Sequence, residues 1–247
     1  KQSLEGKTAL VTGAARRIGA EIVRQLHKAG ARVAVHYRSS VVEAENLRDQ
    51  LNDERADSVQ IFAADINETA GLQDLVDEVV GWSGGLDILV NNASSFYPTP
   101  IGSVTETNWH ELVGSNFKAP LFLTQAALPY LRNGGGNVVN IVDIHARRPL
   151  AEHAVYGPAK AALEMLTRSL AKELAPEVRV NGVSPGAILW PEGDQSEGDR
   201  DSILKQIPMQ RTGEPEDIAG CVLYLVRDAQ YVTGQVIAVD GGRSLGW

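Results

Sequence analysis

The sequence predicts an α/β fold, a single domain built on a doubly wound parallel sheet of about seven strands with helices on both faces. Three observations carry this. Short runs rich in β-branched residues recur along the chain. Longer segments with helical spacing separate them. The runs are continuously apolar rather than alternating, as strands covered on two faces must be. The runs are TALVT (8–12), RVAVHY (32–37), VQIFAA (59–64), LDILVN (86–91), NVVNIV (137–142), VRVNGV (178–183) and QVIAVD (235–240). Helical spacing covers Ile18 to Ala29, Val41 to Asn52, Leu72 to Trp82, Trp109 to Leu131, Ala159 to Leu174 and Pro215 to Arg227. Neither an internal repeat nor a Pro/Ser-rich linker divides residues 1–247. The compositional break is WPEGDQSEGDRD (190–201), read either as a surface loop or as a mobile lid within a substrate loop at 187–210.

At 43% hydrophobic and 22% charged residues, the chain has the composition of a folded protein. Its formal charge of -8 disfavours non-specific attraction to nucleic acid or an anionic membrane. The single cysteine, Cys221 in IAGCVLYLV, reads as a small buried side chain and excludes a disulfide framework. Five scattered histidines without ligand spacing give no reason to expect a metal. No apolar run reaches the roughly 18 residues that span a bilayer, and KQSLEGK has no hydrophobic signal region, so a cytoplasmic location is expected.

TALVT runs directly into Gly13-Ala-Ala-Arg-Arg-Ile-Gly19, and a helix follows. Glycines at this junction permit a tight turn and let the helix N–H groups face a pyrophosphate, so Gly13, Arg16, Arg17, Ile18 and Gly19 are candidate dinucleotide contacts. The second strand ends in His36-Tyr37-Arg38-Ser39-Ser40, with no carboxylate for a ribose diol. Donors there, together with Arg16 and Arg17, favour the 2′-phosphate of NADPH; the competing reading is a basic surface patch. Asp65, followed by Ile66, is placed to meet adenine, and Asn92 and Ala93 to line the nicotinamide ribose.

VYGPAKAAL (155–163) puts Tyr156 and Lys160 four residues apart, on one face if the segment is helical. Alone, that pair fits a solvated helix face. Together with TGAARRIG, NNAS, Asn116 and SPG (184–186), however, YGPAK resembles the short-chain dehydrogenase/reductase family, with the match running from Thr8 to Asp240-Gly241-Gly242. The resemblance implies a Rossmann fold and a homotetramer. It implies Tyr156 as proton donor, Lys160 lowering the tyrosine pKa and holding ribose, Asn116 organising a proton relay, and Pro185 and Gly186 bordering the cofactor. A nearby ammonium does favour phenolate.

Two departures narrow the reading. Arg17 stands where the family turn usually has glycine, and Asp143 in NIVDIH stands where it usually has serine. A serine hydroxyl donates to a carbonyl oxygen gathering charge, whereas a carboxylate only accepts and repels it, so simple ketone reduction is disfavoured. A ring C=N bond instead needs a proton at nitrogen, and a carboxyl group feeding protons through Tyr156 suits it, although Asp143 would also tend to raise the tyrosine pKa. A merely capping aspartate is the plainer alternative. NNASSFYPTP (91–100), Arg17, HYRSS and Asp143 resemble the pteridine reductases within the family. That likeness implies Phe96 stacked on a pterin, Ser94 close to both ligands, Arg17 touching pterin and cofactor phosphate, and Leu189 or Trp190 lining the substrate pocket. The expectation is NADPH-dependent reduction of a dihydropterin such as dihydrobiopterin, or of dihydrofolate. A dihydromonapterin reductase and a carbonyl or 3-oxoacyl-carrier-protein reductase are the enzyme alternatives. An NADPH-binding redox sensor is the non-enzyme alternative, against which the intact Tyr156 and Lys160 argue.

Overall fold

A computed structural model describes residues 3–188 and 197–246. Seven strands form one parallel sheet in the order β3-β2-β1-β4-β5-β6-β7. They are β1 (Thr8–Val11), β2 (Arg32–Tyr37), β3 (Val59–Ala63), β4 (Ile88–Asn91), β5 (Gly136–Ile141), β6 (Val178–Pro185) and β7 (Val236–Val239). The helices are α1 (Arg17–Lys28), α2 (Val41–Glu54), α3 (Leu72–Ser83), α4 (Glu106–Val113), α5 (Ala119–Leu131), α6 (Tyr156–Leu174), α7 (Glu197–Lys205) and α8 (Pro215–Leu223).

The period-two geometry of strands divides the core into two layers. Ala9 and Val11 of β1 pack with Val33 and Val35 of β2 against Ile22, Val23 and Leu26 of α1. Leu10 and Ala34 face the other way, onto Val76 and Val79 of α3 and Leu123 and Ala127 of α5. Leu10, Leu26, Leu89 and Leu123 are fully enclosed, each adding about 1.5–3 kcal/mol of burial. Between β1 and β4 the strand order reverses direction, which opens a crevice beyond their carboxyl ends, where open α/β sheets bind ligands.

Three local differences from expectation have physical causes. The helix expected from Trp109 to Leu131 is two helices separated by a π turn at Gly114–Lys118, where the Ala119 N–H reaches Gly114 O. Pro120 explains the break: without an N–H it cannot bond the Asn116 carbonyl in α-helical register. Helix α6 begins at Tyr156, three residues before the expected Ala159, because Pro158 falls in the first turn, where a missing N–H costs nothing. Helix α7 occupies part of the segment read as an acidic loop. The greater part of the suggested lid, and the candidate pocket residues Leu189 and Trp190, lie outside the described residues.

A buried polar seam anchors α6 to the sheet. Asn91 Nδ2 donates to Asn140 Oδ1 at 2.8 Å, Asn140 Nδ2 to Thr167 Oγ1 at 2.9 Å, and Thr167 Oγ1 to Leu163 O at 2.8 Å. The helix carrying Tyr156 and Lys160 is thereby tied to β4 and β5 by satisfied hydrogen bonds, whose loss would leave buried polar groups uncompensated.

Candidate active site

The turn after β1 and the end of β4 are built as one piece. Gly13 has φ +59, and a Cβ there would lie 2.8 Å from Ala93 Cα. A Cβ on Gly19 would meet Gly13 O at 2.5 Å and Asn92 Nδ2 at 2.7 Å, so neither glycine can carry a side chain without the backbone moving. Asn92 Nδ2 donates to Thr12 O at 2.8 Å and Gly13 O at 3.0 Å, while Thr12 Oγ1 accepts from the N–H groups of Asn92 and Ala93 at 2.9 and 3.0 Å. Thr12 was not among the residues expected from sequence. Its position at a strand end beside a glycine was the available signal.

A groove of about 360 Å³ runs along this turn. It is lined by Gly13, Ile18 and Gly19, by Arg16, Arg17, His36, Tyr37, Arg38 and Ser39, and by Asp65, Ile66, Asn92, Ala93 and Ser94. Ser115, which accepts from the Ser95 N–H at 3.1 Å, joins them. Arg38 lies 3.9 Å from Asp65 with both side chains largely in solvent, a pairing weak enough to re-form around a ligand. A side-chain-free glycine cradle, a helix amino end and converging guanidinium groups fit the pyrophosphate and phosphates of a nicotinamide dinucleotide.

His36, expected from sequence among the donors to a 2′-phosphate, lines the groove but is only 2% exposed, with both ring nitrogens engaged by the backbone. The Gly13 N–H donates to His36 Nδ1 at 3.1 Å, so the proton sits on Nε2, which donates to Ala64 O at 3.1 Å. Burial brings its pKa down to about 4, with the bond to Ala64 and the charge of Asp65 opposing, so at neutral pH the ring is uncharged scaffolding for the glycine turn.

A second cavity, of about 570 Å³, continues from the groove through shared walls at Arg16, Arg17, Ile18, Asn92 and Ser94. It brings Phe96, Asp143, Tyr156, Lys160, Pro185 and Gly186 together, so that residues from five separate parts of the chain line one cavity. The Tyr156 hydroxyl donates to Asp143 Oδ2 at 2.7 Å, and the other carboxylate oxygen accepts from the His145 N–H at 2.8 Å. Lys160 Nζ donates to Ile141 O at 2.8 Å and lies 5.8 Å from the Tyr156 ring centre. Arg17, with φ +55, takes the left-handed conformation that glycine adopts without strain.

The electrostatics correct the expectation for the tyrosine. Its pKa is not lowered; it is raised well above 10.0 by burial, then by the Asp143 charge and by the hydrogen bond to it, with Ser94 opposing. Burial, reinforced by a carboxylate in direct hydrogen-bond contact, retains Tyr156 as a neutral phenol, the form that can donate a proton. Burial also brings Lys160 down to about 8, the Asp143 charge opposing. Arg243, in the turn after β7, is lowered by burial, while Asp143 and Asp240 support its charge.

Asn116 is buried in the π turn. Its Oδ1 accepts from Ser94 Oγ at 2.7 Å, and its Nδ2 donates to Ser95 O and Leu112 O, both at 2.9 Å. The side chain thus ties the Ser94 strand end to the broken helix, and its backbone carbonyl lacks the α-helical donor that Pro120 cannot supply.

The Enoyl-(Acyl carrier protein) reductase family matches residues 13–244. The chain is 38% identical to pteridine reductase 1 of Leishmania tarentolae, the alignment covering 96% of each. It is 36% identical to a 3-oxoacyl-[acyl-carrier-protein] reductase of Staphylococcus epidermidis, covering 96% of this chain and 98% of that protein. Among solved structures, a blue fluorescent protein from a metagenomic library, in complex with NADPH, superposes with a TM-score of 0.92 at 35% identity, covering 98% of this chain and 99% of the other. With its glycine turn, its Tyr156–Lys160 pair and this breadth of likeness, the chain belongs to the short-chain dehydrogenase/reductase family and is an oxidoreductase using a nicotinamide cofactor.

Proposed function

We propose that the protein is an NADPH-dependent pteridine reductase acting on the pyrazine ring C=N of a dihydropterin, such as dihydrobiopterin, or of dihydrofolate. The observation that carries this reading is the carboxylate in hydrogen-bond contact with the phenol: Asp143 Oδ2 accepts from the Tyr156 hydroxyl inside the substrate cavity. An acceptor-only group lining the cavity repels a carbonyl oxygen as it turns into an oxyanion. It attracts the N–H and amino donors around a pterin, and a neutral phenol beside it can pass its proton to a ring nitrogen. Phe96, 51% exposed, offers a flat apolar surface to a planar ring.

When bound, NADPH supplies hydride to the ring carbon adjoining that nitrogen. Gly13, Gly19, Asn92 and Ala93 would hold its pyrophosphate and ribose, and Arg16, Arg17, Arg38 and Ser39 support the 2′-phosphate over a bare diol, with no carboxylate at the end of β2. Tyr156 would deliver the proton to nitrogen, Asp143 would hold the phenol in place and afterwards relay to the phenolate a proton taken up from solvent, and Lys160 would hold ribose beside them. Residues 187–210 form the substrate loop in this proposal. A homotetramer in the cytoplasm belongs to it as well. Exposed Trp109, Phe122 and Met165, on α4, α5 and α6, support the assembly.

The staphylococcal likeness favours a second reading, 3-oxoacyl thioester reduction with Asp143 incidental. Loss of NADPH absorbance followed in parallel with dihydrobiopterin, dihydrofolate, dihydromonapterin and acetoacetyl thioester separates the two. The proposal expects kcat/KM for a dihydropterin or dihydrofolate to exceed that for the thioester by roughly tenfold or more. A preference for the thioester overturns it.

A further inference from the structure

The far side of Phe96 is backed by a residue that the reaction itself does not use. The His153 ring lies on the Phe96 ring with centroids 4.7 Å apart and planes within 19°. Tyr156 meets Phe96 at 4.8 Å and 74°, and the His153 and Tyr156 centroids are 6.3 Å apart. These three separations make nearly a right angle at Phe96. His153 therefore covers one face of the phenyl ring, Tyr156 stands beside its rim, and the opposite face is left to the cavity.

His153 is held by a backbone bridge, by backbone hydrogen bonds to Leu150 and Gly157, and by one side-chain hydrogen bond. Its backbone pairs with Thr99 across an isolated parallel bridge, which ties the segment carrying Phe96 to the segment that leads into α6. Its Nδ1 lies 2.7 Å from Ala151 O and must carry the proton, since a carbonyl only accepts. Its Nε2, like Thr99 Oγ1, is buried and has no hydrogen-bond partner among the described residues. The ring plane is therefore set by the Nδ1 bond and the stack, not by a bond at its second nitrogen.

We propose that His153 is a positioning residue: by fixing the plane of Phe96, it sets the tilt at which a flat two-ring substrate lies against the Tyr156 hydroxyl. This rests on the pterin reading of the cavity. An open-chain 3-oxoacyl thioester has no ring to stack and would be indifferent to His153.

The test compares the full-length protein with His153→Leu, which fills similar space without a planar ring, and His153→Phe, which restores the plane without nitrogens. KM and kcat are measured with dihydrobiopterin and with acetoacetyl thioester, and NADPH affinity by cofactor fluorescence reports whether the fold is intact. The Leu variant should raise the dihydrobiopterin KM by roughly two- to tenfold, the worth of one aromatic pair, with a smaller change in kcat. The Phe variant should recover the KM, and NADPH affinity and any thioester KM should stay put in both. An unchanged dihydrobiopterin KM in the Leu variant, an equal rise with the thioester, or no recovery with Phe overturns the role of His153 and leaves the substrate reading standing. Failure of the unsubstituted enzyme to turn over dihydrobiopterin overturns the substrate reading, and this proposal with it.

Discussion

Lowering the pH should loosen the cofactor turn through His36, and the size of the effect follows from its surroundings. Folding holds the ring neutral, with a pKa displaced from 6.5 to about 4. At roughly 1.4 kcal/mol per pH unit, that displacement amounts to about 3 kcal/mol. The sign is that of a base with a depressed native pKa. The unfolded chain takes up the proton near pH 6.5 and the folded chain only near 4, so the contribution is complete above 6.5 and is lost as the pH falls between them. Protonation at Nδ1 of the folded protein would also end its acceptance of the Gly13 N–H, so NADPH affinity should hold down through pH 5 and fall only as the pH approaches 4. The comparison is His36→Asn, which keeps a short polar side chain but does not titrate. Urea denaturation from pH 8 to 4.5 should show the unsubstituted protein losing up to about 3 kcal/mol more than the variant. The other titrating groups, including His27, whose pKa burial also lowers, are common to both proteins and cancel. Parallel curves would refute the reasoning, because they would mean that His36 titrates in the native state as it does in solution.

Replacing Tyr156 by Phe should lower turnover by roughly 10²–10⁴-fold, the usual contribution of a positioned acid, while NADPH affinity by fluorescence titration changes little; full-rate turnover in that variant would remove its assigned role. Gly19→Ala should cost about 1–3 kcal/mol in thermal or chemical unfolding and abolish measurable NADPH binding, since the added carbon would meet Gly13 O, Asn92 Nδ2 and Ala14 Cα, each nearer than 3.0 Å.

The sheet was legible because each strand is a short run rich in β-branched and other apolar residues, and because seven such runs alternating with helices leave little choice of topology. Gly13 and Gly19 were legible for a related reason: a strand end, a tight turn and a helix start constrain residue type strongly. The Tyr156–Lys160 spacing survives into the structure because α6 is regular, although the helix starts at Tyr156, one turn earlier than the apolar spacing from Ala159 indicates. Pro120 carried the opposite signal, a helix that cannot continue in one register, and periodicity alone smoothed over it. The inward bonds of His36 were not legible, because a polar residue ending a strand looks the same from sequence whether it faces solvent or turns inward to accept a backbone N–H. The direction of the Tyr156 shift depends first on burial and then on an aspartate at hydrogen-bond range, and spacing along the chain encodes neither.

In the proposed reaction, an acid in contact with the phenol selects a ring C=N over a ketone. Asp143→Ser tests it most directly, because a hydroxyl can donate to a carbonyl oxygen and because the substitution removes the charge that raises the Tyr156 pKa. Measuring kcat/KM for dihydrobiopterin and acetoacetyl thioester in both proteins should show dihydrobiopterin reduction falling by roughly tenfold or more and thioester reduction rising, so that the preference moves by about two orders of magnitude. A serine variant that keeps its dihydrobiopterin rate and gains nothing with the thioester would contradict the account.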